Sequence, residues 1–204
     1  MEGWAKEYLT FPMRRQGELD GACGLYCILA VAAWWADRNE KYKNDEKKWF
    51  TEAPYLRAVL QQNEGLALQL LGDAKDETKT PLGGLNHKER KHIAEGRGLT
   101  LRCLNDRTRE SIQAHFTGCV GEPEPLIATL DMPFRDPLMR VEYDTPFCHT
   151  VVIVAVNDRG LVIADPHPWN ERVSIWSWET FEARIQPGVP REKWCVECVV
   201  LAAQ

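Results

Sequence analysis

"HTVVIVAVNDRGLVIADP", residues 149–166, is the stretch on which the fold turns. From Thr150 to Val156 the residues are apolar or β-branched without a break, too short for a helix and too uniform for a strand with one wet face. A strand buried on both faces is the expectation. Asn157-Asp158-Arg159-Gly160 then reads as a hairpin turn in which Gly160 can adopt positive φ, and Leu161 to Asp165 as the returning strand.

The register of that hairpin sets where Asp165 lies relative to His149. If a plain two-residue turn pairs Asn157 with Gly160, Asp165 falls opposite Val152 and leaves the face that His149 occupies. A glycine bulge at Gly160 shifts the pairing by one residue. Asp165 then lies opposite Val151, on the face of His149 and diagonal to it, with about 7–8 Å between backbones. The bulged register is therefore expected. An Asp-Pro turn that merely ends the strand is the other reading of Asp165.

Further strands follow on either side: "LTLRCL" at 99–104, "PLIATLD" at 125–131, "RVSIWS" at 172–177 and "CVECVVLA" at 195–202, separated by Pro, Gly, Asn and Asp. The first half is different. From Ala22 to Ala36 nearly every residue is apolar, over a length that predicts a helix buried on most of its circumference, with Asp20 and Gly21 at the N-cap. Residues 37–52 read as a charged connection, 53–71 as a helix interrupted by Gly65, and 72–91 as a long polar loop. Two more helices are expected, around 88–95 and in the segment opened by "DRTRESIQAHF". The class is α+β, with a buried N-terminal helix on a mostly antiparallel sheet, in one domain over 1–204 that is helix-rich to 120 and sheet-rich from 121.

The totals narrow the function. A net charge of −5 with no dense Lys/Arg cluster offers no footprint for nucleic acid or an anionic membrane. No run approaches the length of a membrane span and the N-terminus lacks a secretory signal, so a cytoplasmic protein without membrane insertion is expected. Seven cysteines in a chain of 204 residues suit reduced thiols better than a disulfide framework.

Cys23 stands at the first turn of the apolar helix, where free N–H groups and the helix dipole favour a thiolate. As a lone cysteine it is a small core residue; with a base it is a nucleophile. His87, His92 and His115 sit in polar surroundings and read as solvated surface. His149 opens a buried strand and must be paired or wet. Held by Asp165, it can take the Cys23 proton, while the carboxylate fixes the tautomer and stabilises imidazolium. Gln16, seven residues before Cys23, is a candidate donor to an oxyanion beside the Cys23 backbone N–H.

Other features carry less. Cys195 and Cys198 form C-x-x-C, but strand geometry puts them on opposite faces and no second pair completes a zinc set. Cys27, Trp34 and Trp35 read as core. Trp169 is a candidate shield over the His149–Asp165 bond, and "LGG" at 82–84 reads as flexible loop.

In order and spacing, "QGELDGACGLYC" and "HTVVIVAVNDRGLVIADP" resemble the glutamine-to-nucleophile segment and the histidine hairpin of the papain-like cysteine peptidases. The sixteen-residue interval from His149 to Asp165 matches the interval common there. Asp-Pro in place of Asn-Ser-Trp, and the small size, bring the chain nearer the bacterial branch of bacteriocin-leader-like peptidases. The resemblance implies Cys23 as nucleophile, His149 as general base and acid, Asp165 as orienter and Gln16 as oxyanion donor. It further implies a protein or peptide substrate, with no cofactor or metal. Acyltransferase, transglutaminase-like and deamidase activities share this residue order. A peptidoglycan-amidase-like secreted effector and a non-catalytic papain-like module remain open as well, and the oligomeric state is not legible.

Overall fold

The apolar run that begins at Cys23 folds as helix α1 (Cys23–Arg38), the central element of the first core. The computed structural model describes residues 3–13, 23–38, 87–95, 99–104, 108–118, 124–136, 141–167, 170–183 and 196–201. Leu25, Cys27, Ile28, Ala30, Val31, Ala32 and Trp34 of α1 are all buried, so this helix has no wet stripe until its last turn. Full burial of each Leu or Ile contributes about 1.5–3 kcal/mol. The helix runs two residues past the expected end at Ala36. There the Arg38 guanidinium lies 4.4 Å from the Trp34 ring centroid and donates to the Trp34 carbonyl at 3.4 Å. A cation at a helix C-terminus is favoured by the dipole.

Among the described residues six strands form one sheet: β1 (Leu99–Cys103), β2 (Leu126–Asp136), β3 (Val141–Asn157), β4 (Gly160–Ala164), β5 (Val173–Ser177) and β6 (Val196–Leu201). They lie in the order β1-β6-β2-β3-β4-β5, and every neighbouring pair is antiparallel. The chain is thus α+β, with the cysteine-bearing helix packed on an antiparallel sheet. One face of the sheet presents Ile127, Val152, Val162 and Ala164 to the core built with α1. The other presents Leu126, Ala128, Val151, Ile153, Leu161 and Ile163 to a second core with Ile112 of helix α2 (Arg109–Gly118) and Trp178 and Phe181 of helix α3 (Trp178–Glu182). A further helix over His87–Glu95 and a 3-10 helix over Gly3–Thr10 complete the described elements.

Several differences from the sequence reading have identifiable causes. The strand expected at 99–104 forms as β1, and what the sequence does not indicate is its partner, β6. The β2–β3 ladder continues to Asp136 and Val141, past a register shift at Pro133, where a residue without an N–H is tolerated. The 3-10 helix and α3 were not anticipated; α3 is opened by Ser177, whose hydroxyl accepts from the Thr180 N–H at 3.1 Å. The helix expected over 53–71, the N-cap at Asp20 and Gly21, the loop as far as residue 86, and Trp169 and Cys195 lie outside the described residues.

The bulge in the β3–β4 hairpin is not at Gly160. Asn157 pairs with Gly160 across a two-residue turn, and the extra residue is Val154, between the pairs Ile153–Ile163 and Ala155–Val162. Val154 and Ala155 both belong to the α1-side core, so the alternation of faces resets there. The shift of one residue is the same as a bulge at Gly160 would give.

Gly160 is required for a different reason than a left-handed backbone: a Cβ there would overlap the carbonyl of Trp176 on β5. The turn is held besides by Arg109 donating to the Asp158 carbonyl at 2.9 Å and Trp178 donating to the Asn157 carbonyl at 2.8 Å. Gly160→Ala is expected to force β4 and β5 apart at a cost of about 1–3 kcal/mol, read as a lower urea midpoint at unchanged m-value.

Candidate active site

α1 begins at Cys23, and the same end of the helix meets β3 at His149 and Thr150. Cys27, one turn further along α1, donates from Sγ to the Thr150 carbonyl at 3.3 Å and fixes the helix to the strand at this point. Cys23 lies near His149 and Thr150, and the ring, the hydroxyl and the backbone N–H all act to lower its thiol. His149 in turn is bonded through Nε2 to Asp165 Oδ1 at 2.7 Å. Since Asp165 takes Nε2, Nδ1 is the ring nitrogen left for the thiol; it is buried and closes no hydrogen bond in this arrangement.

Asp165 follows the last residue of β4. Because Ala164 pairs with Val152, the next residue comes level with Val151, on the side of His149, as the expected register requires. Its carboxylate is held from several directions: Oδ1 also accepts from the His167 backbone N–H at 2.8 Å, and Oδ2 accepts from the Asn170 side chain at 2.8 Å. The Asp165 backbone N–H donates to the Arg172 carbonyl at 3.0 Å, so the backbone is pinned to the strand entering β5.

All three polar groups are out of water, with Cys23 5%, His149 1% and Asp165 1% exposed. Burial pushes the Cys23 thiol up, but the His149 hydrogen bond and charge, joined by the two Thr150 donors, outweigh it and hold the thiol below its ordinary value. For His149 burial acts downward, and the Asp165 and Cys23 partners raise it to about 10. Burial acts upward on Asp165, and His149, the His167 N–H and Asn170 together hold it below the usual carboxylate range. The three shifts run in one sense, towards imidazolium between a carboxylate and a thiolate.

Cys23, His149 and Asp165, read from the sequence as a set, are brought together. Gln16, the candidate oxyanion donor, lies outside the described residues. His92 is exposed as expected, whereas His115 is half-buried, its Nε2 3.0 Å from the Glu124 carbonyl and its ring edge-on to Phe116. The expectation of a solvated His115 is thus corrected: the apolar face of α2 carries it inward.

Three neighbours of the site escaped the sequence reading. His167 packs edge-to-face on His149 with ring centroids 5.5 Å apart; burial and the His149 charge both lower its pKa, so it is neutral at pH 7. Asn170 and Thr150 are the others. An acceptor such as Asp165 commonly takes the N–H two residues on, so "DPHPWN" carried a signal for the His167 contact. Thr150 carried none, since a β-branched residue in a strand needs no special reason.

Among the described residues no group of three His, Cys, Asp or Glu side chains is placed to hold a metal ion, and no helix is long and apolar enough to cross a membrane. A scan against protein-family models finds no match to this chain, and a search of curated proteins finds no similar sequence.

Proposed function

We propose that the chain is a papain-like cysteine hydrolase that cleaves a peptide or isopeptide bond. The observation that carries this reading is the buried row Cys23–His149–Asp165, with a 2.7 Å bond holding the imidazole ring. The Cys23 thiolate attacks the carbonyl carbon, and the developing oxyanion meets the N–H groups at the start of α1, with Gln16 as the second donor. His149 Nδ1–H then protonates the leaving amine, and the acyl group remains on sulfur as a thioester. Water enters, gives its proton to Nδ1, attacks the thioester and releases the acid. Asp165 holds the ring in one tautomer throughout.

A structural role for the same residues is less economical. Burying paired charges is costly enough that apolar side chains of equal volume usually serve stability as well or better. The arrangement is suited to chemistry at sulfur.

The test is the pH dependence of alkylation by iodoacetamide, a small electrophile suited to a buried thiol, followed residue by residue by mass spectrometry. Alkylation requires thiolate. Because the folded Cys23 value is lowered, its rate should reach a plateau at lower pH than that of glutathione, an unperturbed thiol alkylated alongside. His149→Ala removes the leading source of that lowering and leaves burial, so the Cys23 curve moves to higher pH. A wild-type curve at or above that of glutathione would refute the assignment.

A further inference from the structure

We infer that Thr150 is a further catalytic residue of this site, its hydroxyl and backbone N–H holding the Cys23 sulfur as an anion while Thr129 aligns the hydroxyl from behind. The inference rests on the reading of Cys23 as nucleophile.

Thr150 is next to His149 in β3 and is 3% exposed, so its hydroxyl has no water to turn to. The bond from Cys27 seats it one helical turn from Cys23, and its hydroxyl and backbone N–H both act to lower the Cys23 thiol. Its carbonyl accepts from Cys27 at 3.3 Å, one helical turn along α1, and since the N–H and C=O of a strand residue leave the same edge, the Thr150 N–H also points towards the start of α1. Cys23 and Cys27 therefore grip one residue of β3, and its donors cannot drift from the nucleophile.

Thr129 stands directly across the ladder from Thr150, also buried at 5%, with the two hydroxyl oxygens 3.5 Å apart. A hydroxyl offers one proton and accepts through its lone pairs. When Thr129 donates to Thr150, the Thr150 proton is left to point at sulfur. The chain Thr129–Thr150–Cys23 thus enters the nucleophile from the sheet, while Asp165–His149 enters it through the imidazole. A buried pair of hydroxyls aimed at an anion is more useful there than a pair of methyl groups, because a charge-assisted bond is about twice as strong as a neutral one.

Thr150→Val keeps the β-branched shape and the backbone N–H but removes the hydroxyl. It is expected to move the midpoint of Cys23 alkylation to higher pH, leaving about tenfold less thiolate on the acid limb, where one pH unit is a factor of ten. Thr150→Ser should restore the wild-type curve, and Thr129→Val should shift it in the same direction by less. A change in thermal stability with an unmoved alkylation curve would mean packing alone and would overturn the inference. If Thr150→Val fails to fold, the Thr129→Val curve decides: a shift supports the relay, and no shift removes it. Failure here is separable from failure of the active-site reading, which shows in wild type as a Cys23 curve no lower than that of glutathione.

Discussion

Cys23→Ala is expected to abolish hydrolysis of a peptide substrate, by roughly 10⁵-fold or more, while leaving the fold in place. The size follows from covalent catalysis: without sulfur no thioester forms, and His149 and Asp165 have nothing to activate. The mildness for the fold follows from volume. Cys23 is a small side chain at the first turn of α1, and removal of one buried sulfur costs far less than removal of a Leu or Ile from the middle of the same helix. The measurement is turnover on a peptide library together with circular dichroism of the variant. A folded Cys23→Ala variant that still turned over substrate would place the chemistry elsewhere.

The second large effect is at Asp165, where two substitutions separate orientation from charge. Asp165→Ala removes the acceptor for His149 Nε2, the His167 N–H and the Asn170 amide together. The ring is then free to turn, and its Nδ1 proton is no longer fixed towards sulfur. A loss of roughly 10³–10⁴-fold in kcat/KM is expected, in line with removal of the orienting member of such a set. Several buried donors also lose their partner, so stability falls as well.

Asp165→Asn keeps an acceptor oxygen for Nε2 and for the His167 N–H. Its amide nitrogen would face the Asn170 amide, a conflict that Asn170 relieves by turning its own oxygen inward. The loss should therefore be intermediate. The charge is gone, however, and with it much of what raises His149 to about 10. Because His149 must be protonated to serve the leaving amine, the alkaline limb of kcat/KM should move to lower pH in Asp165→Asn. An alkaline limb that stayed in place would mean that the carboxylate charge does not govern the imidazole.

The sheet could be read from the sequence because its strands are β-branched, apolar and punctuated by turn residues, and α1 because its apolar run is too long for a strand. Hairpin arms were harder. "DMPFRD" and "VEYDTPFC" mix charges and prolines, so neither periodicity survives in them. The bulge was legible as a need but not as a place. A strand with apolar residues on both faces carries no mark at the one that is doubled, so Val154 looks like its neighbours and the glycine drew the assignment. At the site, Cys23, His149 and Asp165 were found through chemistry that each requires of the others. Thr150, His167 and Asn170 were hidden because their contribution depends on contacts that span 5 to 127 residues, or on a packing angle, and residue type alone signals neither.

The unmarked bulge has a consequence for the hairpin itself. With Val, Ile, Leu and Ala on both faces, β3 and β4 can slide by one residue and still bury apolar surface everywhere. Hydrophobicity is nearly indifferent between the straight ladder and the bulged one, and the straight ladder leaves no residue unpaired. What separates the two is the polar end of the hairpin. Only the bulged alignment lets a buried carboxylate meet a buried imidazole; the straight one strands both without partners, at several kcal/mol. His149 and Asp165 therefore act as a key that selects one frame from two, so that the sheet is correctly threaded only when these two residues have met.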